Sequence, residues 1–195
     1  FLKYNNKKKV LFAILGILTL IFGYLSKENA LVFAAIIPLS FYFFTDLKFS
    51  KTLIIFFILI ILMFIIRKLI STSLPIDKKM LFFENPLFLD NSLINRILIT
   101  LSSLYEYLRL LIFPHPLVHY YGYNTIPFEN WFSFRIIFST IVYTFLIVWS
   151  IFTLKKKSII TYGILFYLIS ISMFSNLVVP LSGIVGERIT FTASF

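Results

Sequence analysis

An all-α polytopic membrane protein is the fold class this sequence predicts, and three observations predict it. Of its 195 residues 59% are hydrophobic and 13% charged, whereas soluble domains average about 45–50% apolar and about 25% charged. The mean hydropathy is +0.95. The apolar residues also gather into long runs without a charge, at 10–25, 29–45, 52–66, 136–154 and 158–184. So few charges cannot cover the surface of a soluble protein this apolar, and disorder requires low hydrophobicity. The chain contains no cysteine, which excludes disulfides, thiolate metal sites and cysteine nucleophiles.

Each run is near the length that crosses roughly 30 Å of hydrocarbon as a helix, with flanking residues completing the shorter ones. Lipid offers backbone N–H and C=O groups no partner, so the crossings must be helical. The first span is placed at 10–25, after Lys7-Lys8-Lys9. Ser26-Lys27-Glu28-Asn29 makes a tight turn into the second, at 29–45, where Pro38 is an expected kink. Lys48 and Lys51 separate it from the third, at 52–70, which carries Arg67-Lys68 near its end. The fourth, 133–154, stops at Lys155-Lys156-Lys157, and the fifth covers 158–182, with Gly163 as a kink or close-packing point. No repeat or low-complexity linker interrupts the chain, which reads as a single transmembrane region over 1–195. It starts at Phe1 and stops at Phe195 within an apolar run, so an internal piece of a longer protein is expected.

The lysine clusters orient the chain, because short cytoplasmic loops carry the excess of Lys and Arg. Assigning Lys3, Lys7–Lys9, Lys48, Lys51 and Lys155–Lys157 to the cytoplasm places half of the 18 basic residues there, against a single acid, Asp46. The other side holds the remaining bases and the other seven of the eight acids over longer loops. The net charge of +10 is thus mainly an orientation signal, and nucleic acid is not an expected partner.

Parity then places everything from Ser71 to Asn130 on the outer side, although residues 93–113 look apolar enough to cross. At about 100° per residue, Asn95, Arg96, Ser102, Ser103, Glu106 and Arg109 fall within an arc of about 140°. Leu, Ile and Tyr occupy the opposite face. This predicts an amphipathic helix at the outer interface, lying in it or dipping in with its polar stripe toward a cavity. A true crossing would put one lysine cluster on the wrong side.

The predicted spans hold no ionisable side chain in their interiors, whereas ion-coupled carriers usually need one near the midplane. The candidates for chemistry gather at the outer face. At Ser26-Lys27-Glu28-Asn29 the plain reading is capping, with Ser26 as N-cap and Glu28 favourable at the helix N-terminus; Lys27 could also hold a lipid phosphate. Glu106 and Arg109, three apart, can pair on one helix face, as a solvated pair or as the wall of a substrate groove. The segment 114–131 holds both histidines, His115 and His119, among prolines, Tyr123 and other aromatics. Tyr and Trp also settle at membrane interfaces for purely physical reasons. Pro116 argues against the helix that would let the histidines share a metal, and a sugar or phosphate contact suits them better. Last, Gly186-Glu187-Arg188 follows a Pro-Leu-Ser-Gly break. Charges in so apolar a setting are functional by default, and arginine's planar fork suits phosphate. No Gly-rich phosphate loop and no Ser-His-Asp arrangement is present. Together these groups suggest an outer pocket for an anionic, lipid-attached substrate.

The string Ser26-Lys27-Glu28-Asn29-Ala30, the run Tyr107-Leu108-Arg109-Leu110-Leu111-Ile112-Phe113-Pro114-His115-Pro116, the Tyr-rich segment 121–127 and Glu187-Arg188-Ile189 resemble, in order and spacing, the transmembrane and tetratricopeptide-repeat O-mannosyltransferases, and more closely their bacterial membrane relatives. The resemblance runs along nearly the whole chain. It implies a GT-C-like helical bundle with an outer-face interfacial amphipathic helix at 93–113, in the bacterial cytoplasmic membrane, often followed by tetratricopeptide repeats. It further implies transfer of a sugar, usually mannose, from a polyprenyl-phosphate donor to a protein acceptor hydroxyl. By the same resemblance, Lys27, Arg188 and His115 hold the donor phosphate, with Glu28, Arg109, His119, Tyr123 and Glu187 around the substrate. The general base of such enzymes lies in the first outer loop, which would precede residue 1; Glu28 and Glu187 are the nearest substitutes. No resident metal is implied, though a divalent cation is compatible with the chemistry. The alternative is a lipid-linked saccharide flippase or polymerase, or another multispanning transporter. A flippase needs basic groups along a path through the bilayer, and these spans show none.

Overall fold

A computed structural model describes residues 9–73, 83–88, 90, 92–115, 121, 125–126, 129–177 and 184–185. The described residues are largely helical and contain no β-strand. Six α-helices follow in order: α1 (Lys9–Ser26), α2 (Phe33–Phe44), α3 (Phe49–Ser73), α4 (Leu93–Ile112), α5 (Phe134–Thr153) and α6 (Ile159–Ser172). Two helical stretches, Phe49–Leu69 and Phe134–Lys156, are long and apolar enough to cross a membrane. They bury only 17% and 22% of their apolar windows inside the protein, whereas the core helix of a soluble protein would be mostly covered. Residues such as Phe57, Phe64, Phe145 and Phe152 are more than half exposed. An apolar surface of this extent marks a contact with a membrane or with another protein.

The chain divides into two compact units, one of Phe1–Asp77 with Leu154–Gly163, the other of Lys78–Thr153 with Ile164–Phe195. In the first, Leu20 and Tyr24 of α1, Ala34 of α2, and Leu59 and Met63 of α3 form one apolar cluster. A 3-10 turn, Glu28–Val32, joins α1 to α2. Here the expected Ser26 N-cap is replaced. The Lys27 N–H donates to Gly23 O at 3.0 Å, an i→i−4 bond that keeps Ser26 inside α1 as its last residue. Lys27 takes the cap position in extended conformation, with no side-chain cap bond. Pro38 sits buried within α2; it has no N–H, so one carbonyl a turn earlier loses its helical partner. α2 ends at Thr45, whose carbonyl accepts from Lys157 Nζ at 3.1 Å, and that amine also lies 4.9 Å from the Tyr42 ring centroid. Ser40 and Tyr162 share a hydroxyl bond of 2.9 Å.

In the second unit α4 packs on α5. Ser92 caps α4 by accepting from Asn95 N at 3.3 Å, and Asp90 braces the cap from the Ser92 N–H and Asn95 Nδ2. Ser139 of α5 donates to Leu101 O of α4 at 2.8 Å. Tyr143 donates to Leu104 O at 3.1 Å and meets the Tyr167 hydroxyl of α6 at 2.7 Å, with the two rings stacked. These bonds stitch α4, α5 and α6 together around an apolar cluster that includes Ile99, Tyr107, Leu110, Ile171 and Phe174. α6 does not run to residue 182, where the sequence placed the end of the fifth span. It stops at Ser172, where Phe174 N–H donates to Ile171 O and Ser175 N–H to Ser172 O, i→i−3 bonds that tighten a helix end. Asn176 follows at φ 62°, a left-handed conformation that ends helices. Gly163 has no neighbour where a Cβ would stand, so it is not a close-packing point.

Candidate functional site

α4 sets the site by the way it is turned. Its buried residues are Leu98, Ile99, Thr100, Ser102, Ser103, Glu106, Tyr107 and Leu110. Leu93, Ile94, Ile97, Leu111 and Ile112 are exposed. Half of the polar stripe, Ser102, Ser103 and Glu106, is thus turned into the protein together with Leu98, Ile99, Tyr107 and Leu110.

That stripe delivers Glu106 into a chain of charges. Glu106 is 6% exposed, and its Oε2 accepts from Arg109 Nε at 2.6 Å. Its Oε1 stands 3.9 Å from Nη1 of Arg135, in the first turn of α5. The same Nη1 lies 3.1 Å from Glu129 Oε1. The Arg135 guanidinium also sits 5.8 Å from the Tyr105 ring centroid, a cation–π distance. Arg109 reaches on, its Nη1 donating to the His115 carbonyl at 2.8 Å, while the His115 N–H donates to Phe113 O at 2.7 Å in a γ-turn around Pro114. Arginine 109 thereby fixes the first residues after α4 and leaves the His115 side chain exposed. The hydrogen bond to Glu106, foremost, and its charge raise the Arg109 guanidinium above its ordinary range, against a smaller effect of burial.

The sequence nominated Arg109 and His115, and the structure brings them together through guanidinium and backbone. Lys27 is exposed and belongs to the first unit. The Glu28 side chain and residues His119, Tyr123, Glu187 and Arg188 lie outside the described residues. Arg135 escaped the sequence reading because it sits at the start of an apolar run, where a basic residue passes for a flanking anchor. The available signal was Glu129, six residues earlier beside Trp131. Glu129 Oε2 is buried without a hydrogen-bond partner among the described residues. In the same unit an apolar cleft of about 370 Å³ is lined by Leu104, Tyr143, Ile147, Leu168, Leu177 and others, with Thr100 on its wall. Among the described residues, no three His, Asp or Glu side chains gather as a metal site would require.

Comparison with family models, with characterised proteins and with solved structures finds no match to this chain. The family resemblance accordingly stands on the four sequence motifs alone.

Proposed function

We propose that the chain belongs to a multi-pass membrane glycosyltransferase of GT-C type, in the bacterial cytoplasmic membrane, that moves a mannose-like sugar from a polyprenyl-phosphate donor to a protein hydroxyl at the outer face. The observation that carries this reading is the Arg109–Glu106–Arg135–Glu129 chain, a knot of charge in a protein only 13% charged. Arg135 opens α5, and Lys155-Lys156-Lys157 follow its last turn. A helix of 20 residues spans about 30 Å, the length a bilayer crossing that starts at the knot would need. The apolar cleft of the same unit offers room for the hydrocarbon part of a lipid-linked donor.

In the reaction, a carboxylate takes the proton of the acceptor hydroxyl as its oxygen bonds to the sugar C1. The bond from C1 to the phosphate oxygen breaks through an oxocarbenium-like state. The electron pair leaves with the polyprenyl phosphate, whose developing charge a basic side chain would stabilise, the role the resemblance gives to Arg188. Glu106 and Arg109 shape the surroundings, since Arg109 is already engaged by Glu106 and the His115 carbonyl.

The test is Arg188→Ala in the complete protein, assayed with a polyprenyl-phosphate mannose donor in membranes. Transfer is expected to fall at least 100-fold with the thermal midpoint unchanged, since one lost oxyanion donor costs about 10²–10³ in kcat. Normal turnover in that variant would overturn the assignment.

A further inference from the structure

Two asparagines of the second unit, neither of them among the residues the sequence singled out, form a directional relay in its interior. The Leu87 N–H donates to Asn85 Oδ1 at 3.0 Å. Asn85 Nδ2 donates to Asn176 Oδ1 at 3.1 Å, and Asn176 Nδ2 donates to the Ile184 carbonyl at 2.8 Å. The Ile184 N–H in turn donates to the Tyr121 carbonyl at 2.9 Å. Asn85, Asn176 and Ile184 are each at most 1% exposed, and Tyr121 is 4% exposed. The amide orientation is dictated by its ends, because the Leu87 N–H needs an acceptor and the Ile184 carbonyl needs a donor. The carboxamide carries its acceptor and its donors on separate atoms, so each amide can accept at one end and donate at the other; aspartate would accept and break the relay, and leucine would leave both ends unmet. Asn176 suits the place for a second reason, since its φ of 62° is a conformation asparagine adopts more readily than most residues.

What the relay joins is more telling than its burial. Among the described residues these segments meet through side-chain amides and one backbone bond, beside the packing of Leu87, Tyr121, Ile184 and Val185 in the same apolar cluster. Asn85 lies in the turn before α4, Asn176 after α6, Tyr121 at the start of the tyrosine-rich motif, and Ile184 three residues before Glu187. We propose that Asn85 and Asn176 are positioning residues that fix the two motif-bearing segments at Tyr121 and Ile184 against each other, and so set the geometry in which the donor phosphate is held. The positioning role rests on the proposed function; the relay itself does not.

The experiment uses the complete protein in nanodiscs with Asn176→Gly, which keeps the left-handed backbone and removes the relay, and Asn85→Leu, which breaks it from the other side. Hydrogen exchange at the Ile184 amide is expected to quicken at least tenfold in each variant and no further in the double variant. The KM for a polyprenyl-phosphate mannose donor is expected to rise about tenfold, with kcat within twofold. Unchanged exchange at Ile184 in Asn85→Leu, or in Asn176→Gly should the leucine variant not fold, overturns the relay. Faster exchange with an unchanged donor KM overturns the positioning role. Absence of transfer in the unmodified protein overturns the proposed function instead, and exchange alone then decides for or against the relay.

Discussion

The α2–α3 pair of the first unit and the α4–α5 pair of the second are both helix-on-helix contacts, held by different chemistry. The buried residues of α2 are Ala34, Ile36, Pro38, Phe41 and Phe43, meeting an apolar cluster that includes Leu59 and Met63. α4 instead buries Ser102, Ser103 and Glu106, and α5 sends Ser139 and Tyr143 to its carbonyls. The first pair relies on packing. The second uses polar contacts that fix register, and the charged chain is an extension of them.

The sharpest way to break this contrast is to make α4 resemble α2. Glu106→Met removes the carboxylate that Arg109 and Arg135 share and leaves a partly buried arginine without it. Breaking a buried pair costs about 3–5 kcal/mol, and with Arg109 29% exposed on its side chain about 3 kcal/mol is the expected loss, read by thermal unfolding in detergent. Glu106→Met with Arg109→Met should recover most of it, because replacing a whole buried pair by apolar residues is often neutral. If the charges exist for function, the double variant folds but loses transfer. Recovery of both stability and transfer would make the pair structural. The sign of any pH effect follows from Arg109. Its folded value is raised, so its contribution is complete at every pH below the ordinary arginine range and is lost only above it. Alkali up to pH 10 should leave the pair intact.

A smaller effect tests the hydroxyl bridge. Tyr143→Phe removes the group joining Leu104 O to Tyr167 while keeping the ring stack, and about 1–2 kcal/mol should be lost, since the Tyr167 hydroxyl is left without its partner. Adding Tyr167→Phe should cost little more, as the two act as one unit. Additive losses would mean that the two hydroxyls work separately.

The contrast also explains what was legible in the sequence. Helical runs announce themselves as long apolar stretches, and α1, α2 and α5 overlap the charge-free stretches 10–25, 29–45 and 136–154, while α3 overlaps 52–66 and runs on through Lys51 and Arg67-Lys68. α4 announced its polar stripe, since its spacing is a property of the residues. Which way the stripe turned was not readable, because it depends on Arg135, Ser139 and Tyr143, which lie on a different helix, 29 to 39 residues from their partners on α4. The end of α6 was hidden for a local reason. Ser170, Ser172 and Ser175 carry no charge to mark a boundary, and past Ser172 the helix gives way to i→i−3 bonds from Phe174 and Ser175 before the left-handed Asn176. Ser26 misled because a serine before an acidic residue signals a helix start, while the backbone bond from Lys27 to Gly23 kept it in the preceding helix.

The smallest expected effect belongs to the first unit, and it separates contact from strain. Lys157 Nζ reaches the carbonyl of Thr45, just past the C-terminus of α2, and the Tyr42 ring. A cation at a helix C-terminus or over a ring stabilises by about 0.5–1 kcal/mol. Lys157 itself adopts φ 48°, a conformation that costs a residue with a Cβ about 1–2 kcal/mol. The two effects are similar in size and opposite in sign. Lys157→Met keeps the strain and loses the contact, so the thermal midpoint should fall by a few degrees, and less at high salt because an exposed charge is screened. Lys157→Gly loses the contact but also the strain, and should match or slightly exceed the unmodified protein. Equal losses in both variants would show that the left-handed turn costs nothing and that the lost lysine contacts alone account for the effect.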